Sequence, residues 1–287
     1  MAKAESKISK AKRQADEVIE DVATHPWIER IARFGYATKG TVYIVIGGLA
    51  TMAAFGMGGE TTDMRGVLQT IENQPFGKFV LATVAFGLVG YVVWRWIQAI
   101  ADTDEKGSDL KGILIRIGYA GSGLAYAGLA LTAAKILIDV GDTDSSTEVQ
   151  RHWTGRFLAL PAGRLLIGLV GLSVIVFGLY QIYKGLRAKF RKRLKLGQMS
   201  FAKKTWATLS GRIGYAARGV VFCVVGSFLV RAALDYNPSQ ARGIDGVLDA
   251  LARPPFGPWV MGVVAGGLTL YGIYMLVESR YRRIAGS

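Results

Sequence analysis

The sequence predicts an all-α integral membrane protein: six transmembrane helices, arranged as three tandem parallel helix hairpins about a pseudo-threefold axis. Three observations predict this. An opening motif is written three times, as Arg33-Phe34-Gly35-Tyr36, Arg116-Ile117-Gly118-Tyr119 and Arg212-Ile213-Gly214-Tyr215. Each copy leads into an apolar run, a polar stretch and a second apolar run, which is the signature of a repeated two-helix unit. The apolar runs are long enough to cross a hydrocarbon core of about 30 Å, which takes about 20 helical residues.

The elements follow in order. Residues 1–26 read as a cytoplasmic amphipathic segment, because Ile8, Ala11, Ala15, Ile19 and Val22 recur at helical steps among charged residues. Repeat 1 spans 27–103, repeat 2 spans 110–190 and repeat 3 spans 209–283, with a basic cytoplasmic linker at 191–208. No charge interrupts 41–59, 117–134, 165–183 or 259–277. Phe79 to Trp94 is uncharged and continues apolar past Arg95. The fifth span, between Arg218 and Arg231, is the weakest and is assigned by its place in the third repeat.

A second motif marks each even-numbered span. Gly66-Val67-Leu68 precedes Pro75-Phe76-Gly77, and Gly246-Val247-Leu248 precedes Pro255-Phe256-Gly257 at the same spacing. Met64, Val67, Leu68 and Ile71 step as one helical face, and so do Ile244, Val247, Leu248 and Leu251. These predict short helices at the outer interface, each stopped by its proline. Repeat 2 departs, with Gln150 and Thr154 at apolar positions and Asp139, Asp142, Asp144 and Glu148 ahead of them.

Lys and Arg set the orientation. They number 23 at the termini and between repeats, and 7 in the three connectors within repeats. The positive-inside rule then puts both termini in the cytoplasm of a bacterium, with the protein in its inner (plasma) membrane. The first 30 residues lack the apolar core of a signal peptide. A mean hydropathy of +0.29 argues against a soluble chain.

The layout resembles a bacterial membrane family catalogued as domain of unknown function 1206, whose members look like three copies of a two-helix unit with a Gly-Tyr opening. The resemblance covers nearly all the chain beyond residue 27. It implies six transmembrane helices and no particular activity.

Candidate sites come from the places where the copies align. Gly40, Gly123 and Gly219, with Gly47, Ala130 and Gly226 seven residues on, put small residues on one face of each odd span. They predict a packing seam, or alternatively a pore lined by small residues. Arg33, Arg116 and Arg212, each with its tyrosine one turn deeper, read as headgroup anchors. The alternative is a ring of cations on an anion path, joined by Lys39, Ser122 and Arg218 three residues deeper still and by Arg95 of the second span. Lys135–Asp139 and Arg231–Asp235 are expected to pair at i, i+4 near the outer ends. Lys184 to Arg212 carries ten cations and no acid, so anionic lipid headgroups are the expected partner, not nucleic acid.

Enzyme signatures are missing. His25 and His152 fall on opposite sides of the membrane and cannot share a metal. Cys223 stands alone, and no hydrolase, metalloprotease, Walker or dinucleotide motif occurs. The expectation is a non-enzymatic structural or accessory membrane protein without a cofactor. The alternative is a transporter or channel for a small anionic solute.

Overall fold

The computed structural model describes residues 25–59, 61–104, 106–139, 146–252, 255 and 257–283. The N-terminal amphipathic segment, Asp142 and Asp144 lie outside them. Nine α-helices form among the described residues: α1 (Pro26–Ala54), α2 (Met64–Glu72), α3 (Gly77–Ile100), α4 (Leu110–Leu137), α5 (Ser146–Leu158), α6 (Gly163–Leu186), α7 (Phe201–Leu234), α8 (Ile244–Leu251) and α9 (Gly257–Tyr281). Six of them, α1, α3, α4, α6, α7 and α9, are long and apolar enough to cross a membrane. Each unit therefore reads long helix, short helix, long helix.

Local chemistry sets the boundaries. Pro26 opens α1, where a missing N–H costs nothing. Asp63 and Asp109 cap α2 and α4 through their carboxylates. In the first two units the Pro-x-Gly motif turns the chain sharply into the even span. Its middle residue is left-handed at Phe76 (φ 61°) and Ala162 (φ 64°). A Cβ on Gly77 would lie 2.1 Å from the Glu72 carbonyl oxygen, and one on Gly163 would lie 1.9 Å from that of Phe157. Only glycine fits where the long helix starts against the end of the short one.

The long helices meet in a repeating order. The second span of each unit lies against the first span of the next: α3 on α4, α6 on α7, and α9 back on α1. Glycines make these contacts close. A Cβ on Gly40 would lie 2.8 Å from the Gly272 carbonyl oxygen, and one on Gly219 would lie 2.6 Å from that of Gly178. Gly47 meets Ala265 and Thr269, and Gly226 meets Gly171. In the second unit Gly123 faces Trp96. The small residues are thus a packing seam, as membrane helices require where dispersion replaces hydrophobic driving force.

Within units, α1 packs on α3 and α7 on α9, but α4 and α6 do not pack along each other. The helices follow the order α4–α3–α1–α9–α7–α6, open between its two ends. The core fills with apolar side chains towards the end that carries the short helices, where Val67 and Leu68 of α2 and Val247 and Leu248 of α8 are fully buried. Hydrogen bonds tie the short helices' surroundings together, Thr61 to Asp249 and Thr147 to Asp245.

Three expectations change. α7 begins at Phe201, so the linker after repeat 2 is shorter than 191–208. What remains is folded under the bundle, with Phe190, Leu194 and Met199 buried and Leu194 bridged to Arg282. Lys135, Asp139, Arg231 and Asp235 are exposed, and neither expected pair is within ion-pair distance. Exposed charges at the end of a span are solvated well enough that no pairing is needed.

Candidate functional site

Alignment of the three units on their tyrosines and prolines explains which side chains turn inward. Tyr36, Tyr119 and Tyr215 are buried, not set at the lipid boundary as an anchoring role requires. Seven residues on come Tyr43, Tyr126 and Phe222, on the same helix faces. From the even spans, sixteen residues after each proline, come the buried Tyr91 and Tyr271, while Phe177 at the same place in the second unit is exposed. Twenty-three residues after it come Gln98, Lys184 and Glu278, all buried. The half of the bundle away from the short helices is therefore rich in aromatic rings and polar groups.

At the end opposite the short helices sits a knot of charges. Asp104 lies 3.2 Å from Arg282 and 3.4 Å from Arg193, and accepts a hydrogen bond from the Tyr119 hydroxyl at 2.7 Å. Arg193 donates to the same hydroxyl at 2.9 Å, and Arg282 also pairs with Glu278. Burial alone would raise the Asp104 pKa, but Arg282 and Arg193 outweigh it and hold the carboxyl well below the usual carboxylate range. The Arg282 guanidinium lies 4.8 Å from the Tyr36 ring centroid.

Deeper in, the cations lose their carboxylates. Lys184 donates to Tyr215 Oη at 3.0 Å. Lys39 Nζ and Arg95 Nε both donate to one hydroxyl, that of Tyr91, at 2.9 and 2.7 Å. Arg95 also donates to Gln98 Oε1 at 3.0 Å. Lys39 is caged by aromatic faces, 4.6 Å from the Tyr91 centroid and 4.7 Å from that of Tyr126. Arg218 Nε donates to Tyr43 Oη at 3.1 Å, and its guanidinium lies over Phe222 and Tyr271. Cation–π contacts are worth about 2 kcal/mol each when desolvated, whereas a buried ion costs several. Six cations (Lys39, Lys184, Arg95, Arg193, Arg218 and Arg282) face two carboxylates, Asp104 and Glu278. The hydroxyls of Tyr126 and Tyr274 and Nε2 of Gln98 are buried without a hydrogen-bond partner among the described residues.

The residues singled out in the sequence divide. Lys39, Arg95 and Arg218 come together in this interior. Arg33 and Arg116 do not line it. They cap helix ends: Arg33 donates to the carbonyls of Ser279 and Arg280, and Arg116 to those of Ala99 and Ile100 at 2.7 and 2.8 Å. Both thus act at the carboxyl end of the preceding unit's second span, where cations oppose the helix dipole. Arg212 is exposed, and Ser122 is half-buried with no hydrogen bond among the described residues. Tyr43, Tyr126, Lys184 and Glu278 were missed as singles. The repeat spacing finds them once the units are superposed.

A triplicated two-helix unit, six apolar spans and an inward-facing tyrosine–cation interior define a multi-pass α-helical membrane protein. The family model described as Domain of Unknown Function (DUF1206) matches residues 34–102, 117–188 and 213–282, one match per unit, and the chain belongs to this family. It is similar to the Uncharacterized protein YxxB of Bacillus subtilis (strain 168), 37% identical over 261 residues, which is 91% of this chain and 94% of that protein. No solved structure matches.

Proposed function

We propose that this protein is a non-enzymatic accessory protein of the bacterial inner membrane that holds an anion in the inner half of its bundle, with both termini cytoplasmic. One observation carries the reading. Lys39, Arg95, Lys184 and Arg218 lie within the spans, and none pairs with a carboxylate among the described residues. A surplus of buried positive charge is costly unless an anion joins it. The orientation rests on the Lys and Arg bias, and the non-enzymatic part on the missing sequence motifs. The exposed cations Arg187, Lys189, Arg191, Lys192 and Lys203 suit the anionic lipid headgroups of the inner leaflet.

The test is thermal unfolding of the purified protein in neutral detergent with added sulfate or anionic lipid, against the Lys39→Met and Arg218→Gln variants. At least one of the two anions should raise the wild-type melting temperature and raise that of the variants less. Equal rises in all three would refute the reading. A second reading, a transporter or channel for a small anionic solute, is favoured by the depth of Arg218 in the bundle. Against it stands the outer half, where Ile46, Ala50, Val225 and Leu268 fill the interior beneath α2 and α8. Anion flux into vesicles that depends on Lys39 and Arg218 would favour transport over holding.

A further inference from the structure

Three directions lead to the cations, and two are closed. From the inner end the way passes the Asp104–Arg193–Arg282–Glu278 knot, whose arginines are already paired with carboxylates, and the buried Phe190 and Leu194 of the linker. From the outer end it passes the fully buried Val67, Leu68, Val247 and Leu248. The third direction is sideways, through the membrane itself, between α4 and α6.

That side differs from its two counterparts in a specific way. In the first unit a Cβ on Gly35 would strike the backbone of Tyr91 at 2.6 Å, and in the third a Cβ on Gly214 would strike that of Tyr271 at 2.4 Å. A Cβ on Gly118, the equivalent glycine of the second unit, would meet nothing within 4 Å among the described residues. Phe177, which stands where Tyr91 and Tyr271 stand, is 44% exposed. α4 and α6 are also the least buried of the six spans.

The walls of this gap lead to the cations. Phe177 of α6 contacts Phe222, ring to ring at 5.2 Å, and Phe222 carries the Arg218 guanidinium at 4.7 Å. Tyr126 of α4 lies against Lys39. Lys39 and Arg218 face one ring between them, that of Tyr43, at 6.0 and 5.8 Å. Arg218 is partly exposed, and its two terminal nitrogens have no hydrogen-bond partner among the described residues. The Tyr126 hydroxyl is buried and has no hydrogen-bond partner among the described residues.

We infer that the gap between α4 and α6 admits an anionic membrane lipid, whose phosphate headgroup sits on Arg218, Lys39 and the Tyr126 hydroxyl while its chains lie along Phe177 and Gly118. This rests on the anion-holding reading above. A guanidinium fork, an ammonium and a phenol O–H are the donors that suit a phosphate oxygen cluster. Lys39 and Arg218 stand six residues inside the signature arginines, about 9 Å of helix rise. A lipid reaches that depth by sliding along the bilayer, with its tails always in hydrocarbon. A free anion would have to cross one of the two closed ends.

The experiment uses the full chain in nanodiscs of phosphatidylcholine, with or without a minority of phosphatidylglycerol, and reads the melting temperature. Phosphatidylglycerol should raise it by about 5 °C, the size expected of a site well above half-saturation. Millimolar sulfate in phosphatidylcholine discs should not reproduce the rise. Gly118→Leu fills the gap from a position with free space around it. It should melt like wild type in phosphatidylcholine and lose the increment, and Arg218→Gln should lose it too. If Arg218→Gln does not fold, Gly118→Leu alone carries the test. An increment from sulfate but none from phosphatidylglycerol overturns the lipid and leaves the anion-holding reading intact. No increment from either overturns both. A phosphatidylglycerol increment retained by Gly118→Leu places the lipid on the exposed basic surface and overturns the gap. So does a Gly118→Leu change from dimer to monomer, which would make the gap a self-association face.

Discussion

Arg33 Nη1 donates to the carbonyl oxygen of Ser279 at 2.7 Å, across 246 residues of sequence. Arg116 makes the same bond to Ala99 across only 17. The contact between the last span and the first is thus chemically the contact between the second and the third. The equivalence argues that the signature arginine is a joint between units, which the motif viewed on its own does not reveal.

Removing either joint should cost similar stability. Arg33→Ala and Arg116→Ala each leave helix-end carbonyls without a charged donor, a loss of about 2 kcal/mol. The two act on different helix pairs, so the double variant should lose about the sum. Denaturation in mild detergent reads both effects. A neutral Arg33→Ala beside a costly Arg116→Ala would mean that the two joints are not equivalent.

Glycines of the seam and of the gap should respond with opposite sign. Gly219→Ala puts a methyl group 2.6 Å from the Gly178 carbonyl oxygen and must push α6 from α7. A loss of about 2 kcal/mol is expected, as for other overpacked sites. Gly118→Ala meets no neighbour, so helix propensity should make it neutral or stabilising by up to about 1 kcal/mol. Melting temperatures of the two variants decide this.

Tyr91→Phe tests the shared hydroxyl. Lys39 and Arg95 both lose an acceptor, and each buried donor left unmet costs about 1–3 kcal/mol. Lys39→Met in the same background removes one of the two stranded groups. It should recover part of the loss in lipid-free detergent. A double variant no more stable than Tyr91→Phe would argue that Lys39 is satisfied in some other way.

The inner knot makes stability depend on acid. The Asp104 pKa is depressed in the folded protein, so its contribution is complete above the unfolded carboxyl value of about 4 and is lost as pH falls below that towards the folded one. Wild type should therefore lose more melting temperature between about pH 5 and pH 3 than Asp104→Asn, which already lacks the ion pairs. Parallel curves would show that Asp104 does not couple to folding.

The fold was largely legible, because triplication displays the same apolar run and the same Pro-x-Gly turn three times over. The interior was half legible. Lys39, Arg95 and Arg218 stand out as charges in apolar runs. Tyr126 and Phe222 look like ordinary span residues until the seven-residue step from Tyr119 and Tyr215 is followed. Asp104 and Arg193 lie in loops 89 residues apart and meet Arg282 only because the linker folds under the bundle. Nothing local records such a meeting. The open side was hidden for a related reason: Gly118 keeps the motif of Gly35 and Gly214, and only the neighbour it would have touched is displaced.

The closure of α9 on α1 sets an order of assembly. A chain is delivered to the membrane from its N-terminus, and early units fold first. The joints between α3 and α4 and between α6 and α7 unite spans that arrive one after the other. α1 receives its glycine-bearing partner only when the final span has been inserted. Until then Gly40 and Gly47 lack the backbone they pack against. The nascent protein waits as an unfinished arc, and insertion of α9 is the step that completes its longest-range joint.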